Sequence, residues 1–400
     1  MRVFFLRIAL KCVRYLNKDK INLKEKESLI LSDVFGLNFK ERVLLSYIKQ
    51  PFIEGIKYHH TNYLECYTAA EIFNELGFAV DVVDLFDNNS QIRYDEYKII
   101  YGLGIPLENA FYDINSESVL KILYATGCNP FYSYKTSMEQ VQNFYLSKGK
   151  LMPRSSRVTE NFWTCSYFLS DKIIALGNKF VADTFINVNP LINCESVNAF
   201  YFDVYDINID AKNFDISKKH FLWFGSSGLL HKGLDLLIDI FLERKDITLH
   251  ICGASKDEIK FWDYYQSKIV NCKNIIDYGF VDIKSDKFKN LMNECAFCVY
   301  PTASEGGSPA LLNVMANGGL IPIASKACGI DIEDFGFEFN ELNRVEIEKY
   351  IDKVISLSSN ELLQKSKYVK QFVKENFTFL NYKKNLKSSI VKAISSKNRC

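Results

Sequence analysis

Short apolar runs rich in β-branched and aromatic residues alternate with helix-length segments twice over, and a polar stretch separates the two series. The first series holds "RVLLSYI" (42–48), "AVDVVDL" (79–85), "YKIIYGL" (97–103), "LKILYAT" (120–126) and "KIIALG" (172–177). The second holds "HFLWFG" (220–225), "ITLHICG" (247–253), "NIIDYGF" (274–280), "CAFCVYP" (295–301) and "GLIPIAS" (319–325). Unbroken apolar strands with helices between them predict parallel sheets covered on both faces. Residues 203–219 lack a long hydrophobic period and mark a connection, so the chain reads as α/β, two Rossmann-like domains in tandem. Its 400 residues also exceed what one hydrophobic core organises. The helix around residues 65–76 is expected to stop at Gly77, where a left-handed cap needs no Cβ. Residues 346–394 read as helices followed by a basic tail.

Charge then narrows the partners. With 49 basic against 48 acidic residues the net charge is +1, so no global field draws the chain to nucleic acid, and any polyanion site must be local. Eleven scattered cysteines favour reduced thiols and a cytoplasmic setting. Cys295 and Cys298 form a CxxC without a second pair at ligand spacing, which reads as buried strand cysteines, and no metal site is expected. No apolar run is long enough to span a bilayer. In "MRVFFLRIALKCVRYL" Arg7, Lys11 and Arg14 share one side at helical spacing, while Phe4, Phe5, Ile8, Leu10 and Val13 supply apolar surface. That pattern suits either a helix lying on an anionic membrane or one packed on the protein's own core.

In open α/β sheets a ligand sits beyond the carboxyl ends of the strands. After the first strand of the second series comes "GSSGLLHKGLDLL". Gly225 and Gly228 allow close backbone approach, Lys232 brings a compact positive charge, and a helix with an anion-favouring N-terminus follows. After "CAFCVYP" comes "SEGGSPALLNVMANGG" (304–319), with Ser308 as an expected N-cap and Pro309 as the first helical residue. The amides of Gly306, Gly307 and Ser308 are then expected to face a phosphate. Pro309, Asn313 and Asn317 share a helix face towards the crevice. A carboxylate at Glu305 would repel that phosphate, yet it would accept hydrogen bonds from sugar hydroxyls attached to it. The combination suggests a nucleotide sugar; the bland alternative is a glutamate capping its own turn.

Residues 220–330 resemble the retaining glycosyltransferases of family 4, which have the GT-B fold. "LWFGSSGLLHKGLDLLIDIF" is similar to the family's first donor-binding element, and "YPTASEGGSPALLNVMANGGLIPIAS" to its glutamate–glycine element. "YGFV" (278–281) falls between them in the family's order. The resemblance implies two domains facing across a cleft, with residues 41–205 binding the acceptor, 206–219 linking, 220–375 binding the donor, and 376–400 forming a C-terminal helix and basic tail. Residues 1–40 would be a basic amphipathic extension. Lys232 and Glu305 would be catalytic, Lys232 at the donor diphosphate and Glu305 at the transferred sugar. Gly225, Ser226, Gly228, Gly279, Val281, Gly306, Gly307, Ser308 and Asn313 would complete the donor site.

Three departures stand out. The family's usual arginine is Ser226 here, which thins phosphate neutralisation and leaves room for His231 or another residue to assist. The family's second glutamate, which usually holds the donor ribose, is Asn313. The family's first-domain histidine is absent from "YATGCNPFY", where Thr126 follows the strand. Gly55, His59, His60 and Thr126 are the acceptor-side candidates; the paired histidines read either as one packed and one solvated or as acceptor binding and proton relay. The aromatics of "NPFYSY" (129–134) read as either acceptor pocket or core.

The expected function is transfer of a sugar from a nucleotide diphosphate sugar to a saccharide or glycolipid acceptor, with retention, in bacterial surface polysaccharide biosynthesis. The nucleotide sugar is a substrate, and no separate cofactor is expected. A sugar phosphorylase or hydrolase on the same scaffold and a non-catalytic sugar-nucleotide binder are the alternatives.

Overall fold

The structure is a computed structural model that describes residues 30–58, 60–157, 164–332 and 334–397. The amphipathic segment expected at residues 1–16 lies outside the described residues.

Two sheets carry the chain. The first has seven strands in the order β1-β3-β2-β4-β5-β6-β7: Ile30–Leu31, Phe78–Asp84, Glu41–Tyr47, Ile99–Gly102, Leu120–Ala125, Lys172–Leu176 and Cys194–Val197. All pairs are parallel except β1 with β3. The second has six parallel strands in the order β10-β9-β8-β11-β12-β13: Ile275–Asp277, Thr248–Cys252, His220–Phe224, Phe297–Tyr300, Ile321–Ser325 and Phe337–Phe339. The central strands are apolar without alternation because helices close both faces: Val43, Leu44 and Leu45 are all buried, as are Val299 and Ile323. Strands β1, β7 and β13 escaped sequence reading, β1 because it is only two residues long and β7 and β13 because they are three or four residues long and partly polar.

The order of each sheet fixes where a ligand belongs. Apart from the antiparallel edge strand β1, each sheet begins near its middle, grows outward to one side, and then returns to add strands on the other. The reversals fall between β2 and β4 and between β8 and β11, and a crevice opens at the carboxyl ends of strands flanking such a switch point. The two glycine-bearing stretches follow β8 and β11, one on each side of that reversal.

Helix Asn62–Glu75 ends as its sequence dictates, with Gly77 at φ +88°. Residues 202–205 bind the second domain through Asn317. Its Oδ1 accepts from the amides of Val204 and Tyr205, and its Nδ2 donates to the Phe202 carbonyl. Asn317 is fully buried, so it grips the connection and does not face the crevice as its helical position suggested. The last helix, Phe379–Lys397, returns to the first domain. Tyr382 and Tyr124 join hydroxyls at 3.0 Å, and Lys383 and Lys387 pair with Glu75 at 3.0 and 2.7 Å. Among the described residues no helix is long and apolar enough to cross a membrane.

Candidate functional site

A cavity of about 430 Å³ lies where the domains meet, walled by Gly225, Ser226, Lys232, Val281, Tyr300, Glu305, Gly306, Ser308 and Asn313 from the second domain. The first domain contributes Tyr58, His60, Glu65, Thr126 and Arg157. Pro309 and Ala310 also line it, so the positive end of helix Pro309–Gly318 opens on the cavity.

A compact charge cluster occupies its floor. Glu305 Oε1 accepts from Arg157 Nη1 at 2.8 Å, from Lys232 Nζ at 3.0 Å and from the Tyr300 hydroxyl at 3.2 Å. Lys232 Nζ also donates to Ser226 Oγ at 3.3 Å. Burial alone would raise the Glu305 carboxyl; Arg157 and Lys232 overcome it and hold the group well below the ordinary carboxylate range. Burial lowers the Lys232 ammonium while Glu305 works against that fall. Two cations against one carboxylate leave a surplus of one positive charge on the floor, where a polyanion would rest.

Arg157 is a charged residue of the site that sequence reading missed. It sits in a short stretch docked against the donor loop: Ser155 accepts at its carbonyl from the Leu230 and His231 amides at 3.0 and 3.2 Å, and Ser137 Oγ accepts from the Arg157 amide at 2.8 Å. The only hint was the arginine missing from position 226; nothing in "MPRSSRVTE" marks the replacement. His231 does not supply charge. Burial pushes its imidazole down to about 4, and the ring is used structurally, Nε2 lying 2.6 Å from the Ser304 carbonyl and Nδ1 3.0 Å from Ser137 Oγ.

The glycines divide into different roles. A Cβ at Gly225 would meet the Trp223 ring at 2.6 Å, so this turn needs the missing side chain while its backbone faces the cavity. Gly228 does not line the cavity. Its amide donates to Glu258 Oε1 at 2.6 Å, and the next amide, of Leu229, reaches Glu258 Oε2 at 3.0 Å, so a protein carboxylate fills the nest expected for phosphate. Helix Leu234–Glu243 likewise begins away from the cavity walls. Gly279 is a turn residue at φ +63° whose carbonyl accepts from the Gly253 amide; neighbouring Val281 reaches the cavity.

Gly306 and Gly307 meet the first domain. A Cβ on Gly306 would lie 2.4 Å from the Thr126 carbonyl oxygen and 2.9 Å from that of Leu176; one on Gly307 would lie 2.6 Å from the Ala199 methyl. The Gly307 amide already donates to the Leu176 carbonyl at 3.1 Å, so it is spent on domain contact and not on phosphate. Ser308 stands at the N-cap position of helix Pro309–Gly318, but its left-handed backbone (φ 36°) turns the side chain from the helix amides, and its hydroxyl donates to the Cys328 carbonyl. Asn313 lines the cavity, yet its Oδ1 accepts from the Phe202 amide at 2.7 Å, leaving the amide nitrogen as its donor towards a ligand.

On the acceptor side, His60 and Thr126 reach the cavity, and His60 Nδ1 accepts from the Asn62 amide at 3.1 Å. Gly55 does not line it, and His59 lies outside the described residues. Tyr58 packs edge-on against Phe202 at 5.5 Å with Lys284 over its ring at 4.1 Å, and exposed Phe280 joins the same wall. Tyr58 and Phe202 carried no sequence signal, while Phe280 lies within "YGFV". Glu65, buried and accepting from the Tyr47 hydroxyl at 2.8 Å, closes the wall. Phe131 and Tyr132 of "NPFYSY" face a different cavity, so they do not belong to this pocket. Cys295 and Cys298 are buried in and beside β11, and burial pushes both thiols up.

No protein-family model matches the chain, and no curated protein matches it in sequence. Solved structures do match in shape. Sucrose-phosphate synthase from Thermosynechococcus elongatus superposes with a TM-score of 0.61 at 11% identity, covering 89% of this chain and 100% of that one. HepE from Anabaena in complex with UDP-glucose gives 0.55 at 13% identity over 88% of this chain and 99% of that one. The N-terminal domain of trehalose-6-phosphate phosphatase from Candida albicans gives 0.52 at 12% identity, covering 92% and 98%. At these identities the likeness is one of fold, and the fold is GT-B.

Proposed function

We propose that this chain, on its GT-B fold, transfers a sugar from a nucleotide diphosphate sugar to a saccharide or glycolipid acceptor with retention of anomeric configuration, in the manner of family 4 enzymes. The observation that carries the reading is the Arg157–Glu305–Lys232 cluster, its carboxylate and ammonium buried and its guanidinium half exposed, beneath the mouth of helix Pro309–Gly318 at the switch point of the donor sheet. Electrostatic stabilisation of a leaving diphosphate needs fixed positive charge aimed at it in a partly dehydrated site. Lys232, Arg157 and the helix mouth provide that, and Glu305 then turns from the cations to hydroxyls of the transferred sugar. HepE, with the same fold, was crystallised with UDP-glucose, which makes UDP-sugars the first donors to test.

The aromatic wall of Tyr58, Phe202 and Phe280 suits the apolar faces of an acceptor sugar, with His60 and Glu65 near its hydroxyls. The resemblance to family 4 supports a setting in bacterial surface polysaccharide synthesis, and the basic amphipathic pattern of residues 1–16 supports a place at the inner face of a membrane. Incubation with a panel of nucleotide sugars, with and without saccharide and lipid-linked acceptors, tests the reading. Acceptor-dependent consumption with an α-linked product from an α-linked donor is the expected result. Consumption by water alone, consumption dependent on phosphate, or binding without turnover would each overturn it.

A further inference from the structure

Outside the cleft, three side chains of metal-ligating type converge on one point. His220 opens β8, His250 lies within β9, and Glu294 closes helix Asp286–Glu294. His220 Nδ1 stands 2.9 Å from His250 Nε2, and Glu294 Oε1 stands 3.4 Å from the first and 3.7 Å from the second. In a tetrahedral zinc site with ligands at about 2.0–2.1 Å, neighbouring ligand atoms lie roughly 3.3 Å apart. The three observed separations bracket that value.

The backbone explains the convergence. Alternation along β8 puts His220, Leu222 and Phe224 on one face, and His250 pairs with Leu222 in register. Helix Asp286–Glu294 covers that face, with Phe288 packed on Phe224 at 5.7 Å, so its last residue delivers a carboxylate over the two rings. His250 is fully buried, and its Nδ1 lies 3.0 Å from the Tyr278 hydroxyl, whose ring is stacked parallel to it. A proton on Nδ1 donated to that oxygen leaves the Nε2 lone pair pointing at His220 and Glu294. This is the tautomer that a ligating histidine adopts when a neighbouring group fixes its other nitrogen.

We propose that His220, His250 and Glu294 bind a divalent cation of the zinc class, with solvent completing the coordination at the exposed Glu294 side. Two imidazole nitrogens with one carboxylate oxygen suit zinc over calcium or magnesium, which take oxygen ligands. The site lies towards the amino ends of the strands, away from the loops that line the cleft. It clips β8, β9 and the helix leading into β11 together, the elements whose far ends carry the donor loops. Its role is therefore to hold the donor sheet and not to take part in transfer.

The test uses the full chain, stripped with chelator and titrated with zinc chloride by calorimetry, with metal content read by mass spectrometry after gel filtration. One equivalent per chain is expected, along with a zinc-dependent rise in melting temperature. Glu294→Gln, an exposed change that leaves the fold intact, should weaken zinc at least about 10-fold, and Tyr278→Phe should weaken it by a similar factor through the supporting bond. His220→Ala should abolish stoichiometric binding, and cobalt in place of zinc should give the visible absorption of a tetrahedral centre. Absence of saturable binding in the native chain would overturn the proposal. So would equal affinity in the native and Glu294→Gln proteins, or binding that vanishes only when His60 is replaced.

Discussion

Arg157 of the first domain and Lys232 of the second donate to one and the same oxygen of Glu305, at 2.8 and 3.0 Å. The carboxylate thereby joins the two domains by charge, as Lys148 of the first domain and Asp239 of the second also do at 2.7 Å. It also holds the two cations in place at the cavity floor. An arginine from across the cleft thus stands beside the lysine, near the point where Ser226 leaves a gap in the donor loop.

The first prediction follows from that pairing. Arg157→Ala and Lys232→Ala should each weaken UDP by roughly 1.5–3 kcal/mol, about 10- to 100-fold in Kd, because each removes one charge-assisted bond to phosphate. Uridine should bind both variants as it binds the native protein. Calorimetry with the two ligands checks this, and equal losses for nucleoside and nucleotide would remove the pair from the diphosphate site.

Glu305→Gln should separate binding from turnover. Losing the carboxylate raises the charge of the floor, so UDP should bind at least as tightly as to the native chain. Transfer should nevertheless fall by about 100-fold or more, since the carboxylate is assigned to the sugar as charge shifts during reaction. Single-turnover rates beside a binding isotherm decide it; weaker UDP binding with normal turnover is the contrary outcome.

Gly306→Ala tests the closeness of the domains. The added methyl would sit 2.4 Å from the Thr126 carbonyl oxygen, and backbone there has no side chain to swing aside. Each domain should stay folded while the interface loosens, at a cost on the order of 1–3 kcal/mol. Small-angle scattering should report a larger radius of gyration together with reduced transfer, and an unchanged radius with full activity would contradict the contact.

A pH effect is expected at a residue that does not line the cleft. Asp235, in the first turn of helix Leu234–Glu243, is raised from 3.8 to about 7 by burial and by the charge of Asp239. A raised carboxyl contributes stability that is complete below its unfolded value and is lost as pH climbs through the folded one. Asp235→Asn abolishes that titration. Its melting temperature relative to the native chain should therefore rise from about pH 4 to about pH 8, by the equivalent of roughly 4 kcal/mol. A difference that stays flat across that window would show that Asp235 is ionised at no cost.

The parallel sheets were legible because every strand buried on both faces must be apolar throughout: Val43 to Leu45 and Phe297 to Val299 announce themselves by composition alone. Strands β7 and β13 did not, since an edge strand keeps polar residues and few hydrogen bonds. Lys232, Glu305 and the mouth of helix Pro309–Gly318 were likewise readable, as they lie within a few residues of a strand end and their chemistry is local. Arg157 was not, because its role depends on where one domain's loop meets the other's floor, across 148 positions of sequence. The same holds for Asn317 on residues 202–205, for Glu258 filling the nest at Gly228, and for Tyr382 returning to Tyr124. Each is a contact between segments whose order in the chain carries no trace of their meeting. Sequence periodicity reports which face of an element is buried; the identity of the partner on that face is set by the packing of whole domains, and only the tertiary structure contains it.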